Sequence, residues 1–240
     1  MRRLPWVLLG ALVGVQIGYP LASDRALFSV ITVVLGYLFS LTDAFPRRGL
    51  PALLAVTVGG FLIEALGVAT GFPFGSYSYS GALGPQLLGV PLIIPLAWTW
   101  MAWPAWLAAT RLCSGRFPRV AVAAFGLAAW DLFLDPQMVA EGYWRWLDPV
   151  PALPGLPGIP ASNFLGWLGF AVLVMILLSQ VSGLSTGDDR PALALWFWTY
   201  ASSVLAHAVF LDLPASAAWG GVTMGLVVIP LAVRLLRRPS

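Results

Sequence analysis

Eight apolar runs, each about as long as a bilayer-spanning helix, constrain this chain more than any other feature. Such a helix needs roughly 20 apolar residues. Of the 240 residues, 59% are hydrophobic and only 10% are charged, which is too apolar a composition for a soluble domain. The sequence therefore predicts an all-α integral membrane protein in one polytopic domain, 1–240. Its spans are predicted at about 4–22, 26–41, 51–70, 90–110, 119–139, 163–181, 191–211 and 215–235. The second run is short, so seven spans is the alternative count.

The arginines predict the orientation of this bundle. All 13 basic residues are arginine, and with eight spans 11 of them fall at the termini and in the loops near residues 45, 115 and 186. Only Arg25 and Arg145 fall on the other side. This positive-inside pattern predicts a cell-membrane protein with both termini cytoplasmic, and it accounts for the net charge of +3 without a nucleic-acid partner. Alternatively, the first run is a cleaved signal peptide, since Arg2 and Arg3 precede it.

Two predicted outer loops are rich in glycine, proline and aromatic residues. Residues 71–89 carry no charge, and residues 149–160 alternate proline with small or apolar residues. Such segments are poorly suited to be ordinary solvated loops, so we expect them to fold back over the bundle as a lid. The alternative is a purely structural cap.

Four titratable residues are predicted to lie at one depth in the outer half of the bilayer. Asp131 and Asp135 are four residues apart, on one face of a helix. Counted from the cytoplasmic ends of their helices, these two, Glu64 and His207 lie at roughly 18 to 24 Å. A carboxylate at membrane depth costs about 2.5 kcal/mol or more, which favours a shared functional cavity.

Simpler interpretations exist for single members of this set. Glu64 or His207 alone could be a satisfied interhelical hydrogen bond. Asp135 precedes Pro136 and could close its helix. The simpler interpretation is weakest for Asp131, which is the deeper acid of its pair and has no lysine anywhere in the chain to pair with.

Several chemistries find little support in the sequence. Nucleophilic catalysis has little support, because Cys113 lies beside arginines that are predicted to be cytoplasmic and the sequence has no Gly-x-Ser-x-Gly motif. The sequence also has no Walker motif and no dinucleotide-binding motif. Two aspartates could hold a divalent metal. However, metal-dependent prenyl transfer would need more acidic residues, and more basic residues to bind a diphosphate, than this layer offers. Proton chemistry on an apolar molecule remains, because a carboxylic acid kept neutral by its surroundings can donate a proton. Aromatic faces can stabilise the resulting carbocation, and the candidates are Tyr77, Trp130, Tyr143 and Trp144.

A set of motifs in residues 51–170 resembles the membrane carotenoid hydratases. The motifs are Glu64-Ala-Leu-Gly-x-x-x-Gly-Phe-Pro-Phe-Gly-x-Tyr77-x-Tyr79, Gly89-Val-Pro-x-x-x-Pro-Leu-Ala-Trp98, Trp130-Asp131-x-x-x-Asp135-Pro-x-Met138, Gly142-Tyr143-Trp144 and Asn163-Phe. The resemblance implies addition of water across a terminal isopropylidene double bond of an acyclic carotenoid, giving a tertiary alcohol. It does not assign roles to the individual acids.

We therefore expect an acid/base hydratase without metal or organic cofactor, acting on a carotenoid in the bilayer, with other carotenoid biosynthesis enzymes as compatible partners. Asp131 is the predicted acid because it lies deeper, and Asp135 or Glu64 the water-holding base. The predicted substrate-binding residues are Tyr77, Tyr79, Trp130, Tyr143, Trp144, Asn163 and His207. The alternatives are a lycopene cyclase-like enzyme and a non-enzymatic transporter with an acid relay.

Overall fold

The computed structural model describes residues 3–181, 183–184 and 187–237. In this part of the chain eight α-helices follow one another, as the eight-run count predicted. They are α1 (Leu4–Gly18), α2 (Arg25–Ala44), α3 (Leu50–Thr70), α4 (Ile94–Leu112), α5 (Arg116–Ala140), α6 (Ala161–Ser179), α7 (Arg190–Leu205) and α8 (Pro214–Leu236). A π-helical turn, Ala206–Phe210, extends α7. The protein is an all-α membrane bundle, and seven of these helices are long and apolar enough to cross a membrane.

Helix α4 is the exception because it is the central helix of the bundle. Most of its residues are buried, among them Trp98, Trp100, Trp103 and Trp106. It packs against α2, α3, α5, α6, α7 and α8. Tryptophan and proline lower its mean hydropathy, but a helix surrounded by other helices does not need the aliphatic surface that lipid demands.

Two helix-interior prolines are accommodated by serines from neighbouring helices. Proline has no N–H, so the carbonyl four residues earlier loses its donor. Pro104 in α4 frees the carbonyl of Trp100, which accepts a hydrogen bond from Ser40 Oγ at 3.1 Å. Pro136 in α5 frees the carbonyl of Leu132, which accepts one from Ser216 Oγ at 2.6 Å. Helix α5 therefore continues past Pro136 to Ala140, and Asp135 does not close it.

Short antiparallel strands organise one end of the bundle, which we call the loop end because it carries the segments 71–93 and 141–160. Strand β1 (Tyr77–Tyr79) pairs with β4 (Trp144–Trp146), so that Tyr77 lies opposite Trp146 and Tyr79 opposite Trp144. Strands β2 (Gln86–Leu87) and β3 (Val90–Pro91) form a second pair. The β1–β4 pair joins two segments far apart in sequence, so it fixes the ends of α3 and α5 relative to one another.

The opposite end, the arginine end, is closed by ion pairs. Arg111 at the end of α4 forms a two-point ion pair with Asp189 before α7. Helix α2 is longer than the predicted run 26–41, and its last turn contains the buried Asp43. Asp43 accepts a hydrogen bond from Trp103 Nε1 at 2.8 Å and forms an ion pair with Arg47. This acid thus has a cation beside it, whereas Glu64, Asp131 and Asp135 form no ion pair in the described residues.

Candidate active site

Three carboxyl groups from two helices meet in one small pocket at the loop end. Glu64 comes from α3, while Asp131 and Asp135 come from successive turns of α5 and face the same way, as their spacing predicted. We call this the acid pocket; its volume is about 60 Å³. All three carboxyls are buried, and in the described residues none of them forms an ion pair. Aromatic side chains form much of the wall, namely Tyr77, Tyr79, Trp98, Trp144, Trp146 and Trp167.

Glu64 accepts hydrogen bonds from three neutral donors. Tyr77 and Tyr79 donate their hydroxyls to Oε2 at 2.7 and 2.8 Å. Trp98 Nε1 donates to Oε1 at 2.9 Å. Gly67, one turn further along α3, permits this approach, because a Cβ there would lie 2.6 Å from the Tyr77 hydroxyl. Glu64 is therefore held as an acceptor that ties the loop segment and α4 to α3.

The β1–β4 pair covers the acid pocket with four aromatic side chains from one face. Alternation along a strand places Tyr77 and Tyr79 on the same side, and the register places Trp144 and Trp146 opposite them. The two tyrosines bind Glu64. Both indoles donate to Asp135 Oδ1, Trp144 at 2.5 Å and Trp146 at 3.3 Å. The lid predicted from the composition of residues 71–89 thus includes β1. Its partner strand β4 lies before the other predicted lid segment, the proline-rich residues 149–160.

Burial and the neighbouring carboxyl keep the two tyrosines protonated. Burial raises the pKa of Tyr77 and of Tyr79 above the ordinary value of 10.0, and the adjacent Glu64 carboxyl adds to the rise in both cases. Both hydroxyls therefore remain hydrogen-bond donors to Glu64 throughout the neutral pH range.

Asn163 of α6 joins the two aspartates. Its Nδ2 donates one hydrogen bond to Asp131 Oδ2 and one to Asp135 Oδ2, each at 2.7 Å. An amide nitrogen has two hydrogens, so this donor is fully used. The three side chains are held as a unit by one helix turn of α5 and the first turn of α6.

One carboxyl oxygen in the acid pocket has no hydrogen-bond partner in the described part of the chain. It is Oδ1 of Asp131, a completely buried atom. Both oxygens of Glu64 and of Asp135 accept hydrogen bonds, as does Asp131 Oδ2. Buried polar atoms usually have partners, so this oxygen is the carboxyl atom of the acid pocket that is open to a bound molecule such as water.

The structure adds tryptophans that the sequence did not single out. Trp98 donates to Glu64, Trp146 donates to Asp135, and Trp167 stacks on Trp98 with ring centroids 3.7 Å apart. With 12 tryptophans in the chain, membrane-interface residues and site residues look alike in sequence. In the sequence, Trp98 stood out only as the last residue of the motif that begins at Gly89.

Three of the predicted site residues do not line the acid pocket. Trp130 lines a second, larger cavity and contacts Trp167 edge-on, with centroids 6.1 Å apart. Tyr143 packs in a separate apolar cluster with Met138 and Trp144. His207 also faces the second cavity. The remaining predicted residues, Glu64, Tyr77, Tyr79, Asp131, Asp135, Trp144 and Asn163, all line the acid pocket.

His207 has a local network of its own. Its Nδ1 lies 2.8 Å from Ser216 Oγ and its Nε2 lies 3.3 Å from Gln137 Oε1. Ser216 is the residue that satisfies the Leu132 carbonyl freed by Pro136. The contacts of His207 therefore belong to the packing of α5, α7 and α8.

In the described residues, no group of three or more His, Cys, Asp or Glu side chains is placed to hold a metal ion.

Comparisons with known proteins identify the relatives of this chain. The model of a family described as carotenoid biosynthesis protein matches residues 25–232. Over 112 residues the chain is 38% identical to a protein of Haloarcula japonica named bisanhydrobacterioruberin hydratase. That alignment covers 45% of the chain and 37% of the relative, so the chain matches little more than a third of the relative's length. No solved structure matches the chain.

Proposed function

The chain belongs to the carotenoid biosynthesis protein family, and from this premise we propose that it is a hydratase acting on an acyclic carotenoid. It adds water across the terminal isopropylidene double bond of an end group to give a tertiary alcohol. The name of the Haloarcula japonica relative supports the reaction class. The observation that carries the proposal is Oδ1 of Asp131, which has no hydrogen-bond partner among the described residues, in a pocket whose other carboxyl oxygens are all hydrogen-bonded.

Asp131 is the proposed general acid. Asn163 donates to its Oδ2, so a proton on this carboxyl belongs on Oδ1, the oxygen without a protein partner. The double-bond electron pair takes this proton at the less substituted carbon, forming a C–H bond. A tertiary carbocation remains at the neighbouring carbon, and Asp131 becomes a carboxylate.

Asp135 is the proposed base. A water molecule forms the new C–O bond with the cation and passes one of its protons to Asp135, which yields the alcohol. Asp135 shares the Asn163 amide with Asp131, so the two carboxyls lie side by side and the proton can return to Asp131. The sum of the steps is alkene plus water giving tertiary alcohol, and the enzyme is restored.

Glu64 is the proposed positioning residue rather than the base. Its three donors hold the β1 tyrosines and Trp98 in place. Trp98, Trp144 and Trp146 line the pocket in which the cation is proposed to form. Their negative faces stabilise a cation without reacting with it.

We also propose the orientation that the arginines predict. Apart from Arg25 and Arg145, the arginines of the described chain lie at its beginning or at the arginine end of the bundle. The positive-inside rule then places the arginine end and both termini in the cytoplasm of the cell. The acid pocket faces the outer half of the membrane.

Expression in a bacterium that accumulates lycopene tests the reaction. The proposal expects pigments heavier than lycopene by one or two waters, detected by chromatography and mass spectrometry. A product isomeric with lycopene that carries a ring would show a cyclase instead. Unchanged pigments, together with proton-coupled uptake in vesicles, would show a transporter.

A further inference from the structure

The acid pocket is too small for a carotenoid. Its volume of about 60 Å³ suits a few waters, since a water takes up roughly 30 Å³ in the liquid. Sites for small organic ligands usually measure about 300 to 1,000 Å³. If the chain is a hydratase, the polyene must therefore lie mainly outside the acid pocket, with only its end group near Asp131.

A second cavity next to the acid pocket has the size and lining that a polyene needs. Its volume is about 520 Å³, and it lies among α1, α2, α4, α5 and α7. Its wall is mostly apolar and aromatic, with Trp100, Trp130, Phe133, Leu134, Ala206 and Phe210 as examples. Among the described residues that line it there is no arginine, lysine, aspartate or glutamate, and His207 is the one histidine.

The two cavities share a wall. Ser29 and Val33 of α2, and Leu134 and Met138 of α5, line both of them. Leu134 directly precedes Asp135 in sequence. A chain lying in the second cavity thus needs to pass only these side chains for its end to reach the acids.

The second cavity also reaches the outer surface of the bundle. Four of its lining residues are exposed apolar side chains, namely Ile17 (61% exposed) on α1, Leu21 (89%) just after α1, Leu205 (55%) on α7 and Phe210 (55%) in the π-helical turn. In a membrane bundle such a surface faces lipid. The cavity therefore has an apolar opening between α1 and the end of α7, at the level of the bilayer in which carotenoids dissolve.

We propose that this second cavity is the binding site for the polyene chain of the substrate, entered sideways from the bilayer through the opening at Ile17, Leu205 and Phe210. This inference rests on the proposed hydratase function. The end group passes the shared wall into the acid pocket, and the part of the chain that the cavity does not hold extends into lipid.

Lycopene bound to purified protein tests the site without relying on turnover. All variants are made in an Asp131→Asn background, expressed in lycopene-accumulating cells and purified in detergent, and bound lycopene is measured by its absorbance per protein. Ser202→Trp fills the second cavity from α7, and Ile17→Trp narrows the opening from α1. Val209→Trp is the matched control, because Val209 is 63% exposed and does not line the cavity.

Both cavity variants should bind about tenfold less lycopene than the Asp131→Asn parent, a loss typical of overfilling a packed site. The control should bind as much as the parent. Parental lycopene binding in both cavity variants, purified as monodisperse protein, would overturn the inference. If Ser202→Trp does not fold, Ile17→Trp decides the question, because an exposed position tolerates the larger side chain.

The two proposals can fail separately. Reduced lycopene binding in the cavity variants, with no hydrated pigment from the wild-type chain, would support the polyene site and overturn the hydratase. Hydrated pigment from wild type, with undiminished binding in both cavity variants, would support the hydratase and overturn the polyene site.

Discussion

Asn163 donates a hydrogen bond to Asp131 Oδ2 at 2.7 Å, while Oδ1 of the same carboxyl has no partner in the part of the chain that the structure describes. The second hydrogen of the same nitrogen goes to Asp135. A single amide thus decides which oxygen of Asp131 can carry a proton and keeps the second acid beside it.

Asn163→Ala should lower turnover of lycopene by about tenfold or more, because hydrogen bonds to charged groups contribute roughly 1.5–3 kcal/mol. Turnover is measured with purified enzyme and lycopene in detergent. Leu165→Ala, on the same helix but 70% exposed, is the control and should retain wild-type turnover. Wild-type turnover in Asn163→Ala would mean that the amide does not organise the acids.

The two indoles on Asp135 should differ in importance. Trp144 Nε1 lies 2.5 Å from Oδ1 and Trp146 Nε1 lies 3.3 Å from it. Replacement by phenylalanine keeps an aromatic ring and removes the donor. We expect Trp144→Phe to lower turnover by about tenfold or more and Trp146→Phe by only a few fold, since the longer bond is the weaker one. Equal losses, or the reverse order, would contradict this role for the Trp144 bond.

Gly67→Ala should disturb the cover from a position that bears no functional group. The new Cβ would lie 2.6 Å from the Tyr77 hydroxyl and 3.0 Å from Phe74, so the hydroxyl that donates to Glu64 must shift. We expect a loss of stability of about 1–3 kcal/mol, seen as a lower Tm, together with reduced turnover. Gly59→Ala on the same helix meets its nearest atom at 3.6 Å and should leave Tm unchanged or slightly raised. Equal Tm values for the two variants would argue against a close fit at Gly67.

The tyrosines of the cover predict how stability responds to alkaline pH. Because their pKa values are raised in the folded protein, the unfolded chain releases these protons first, near its ordinary pKa of 10.0. The stabilisation is therefore complete below pH 10 and declines as the pH rises further. The Tm of wild type should fall above this pH, and the fall should be smaller in Tyr77→Phe and Tyr79→Phe. An equally steep fall in both variants would show that other groups cause it.

The sequence predicted much of the fold because membrane insertion leaves a strong pattern. The length of each apolar run gave the helix count, and the four-residue spacing of Asp131 and Asp135 gave their common face. The prediction was least accurate for α4, because this buried helix has no lipid-facing stripe. Its predicted start, residue 90, lies in β3.

It was harder to predict which residues line the site, because the depth of a residue in the membrane does not say towards which neighbouring helix its side chain points. His207 was placed in the layer of the three acids by counting residues, and in the structure it lines the second cavity rather than the acid pocket. Its direction around the bundle depends on which helices are neighbours, and counting residues along one helix does not reveal this. The β1–β4 pair was missed for a similar reason, since two three-residue strands 65 residues apart carry no periodicity of their own.

The role of Asp131 is tested most directly by the turnover of lycopene by purified Asp131→Asn. Asparagine suits this position, because its oxygen can accept the Asn163 hydrogen bond while its NH₂ takes the place of the partnerless Oδ1. The variant should fold and insert as wild type does, yet hydrate lycopene at least about 100-fold more slowly, as expected for loss of a general acid. Turnover of a tenth of wild type or more, by folded protein, would contradict the assignment of Asp131 as the proton donor.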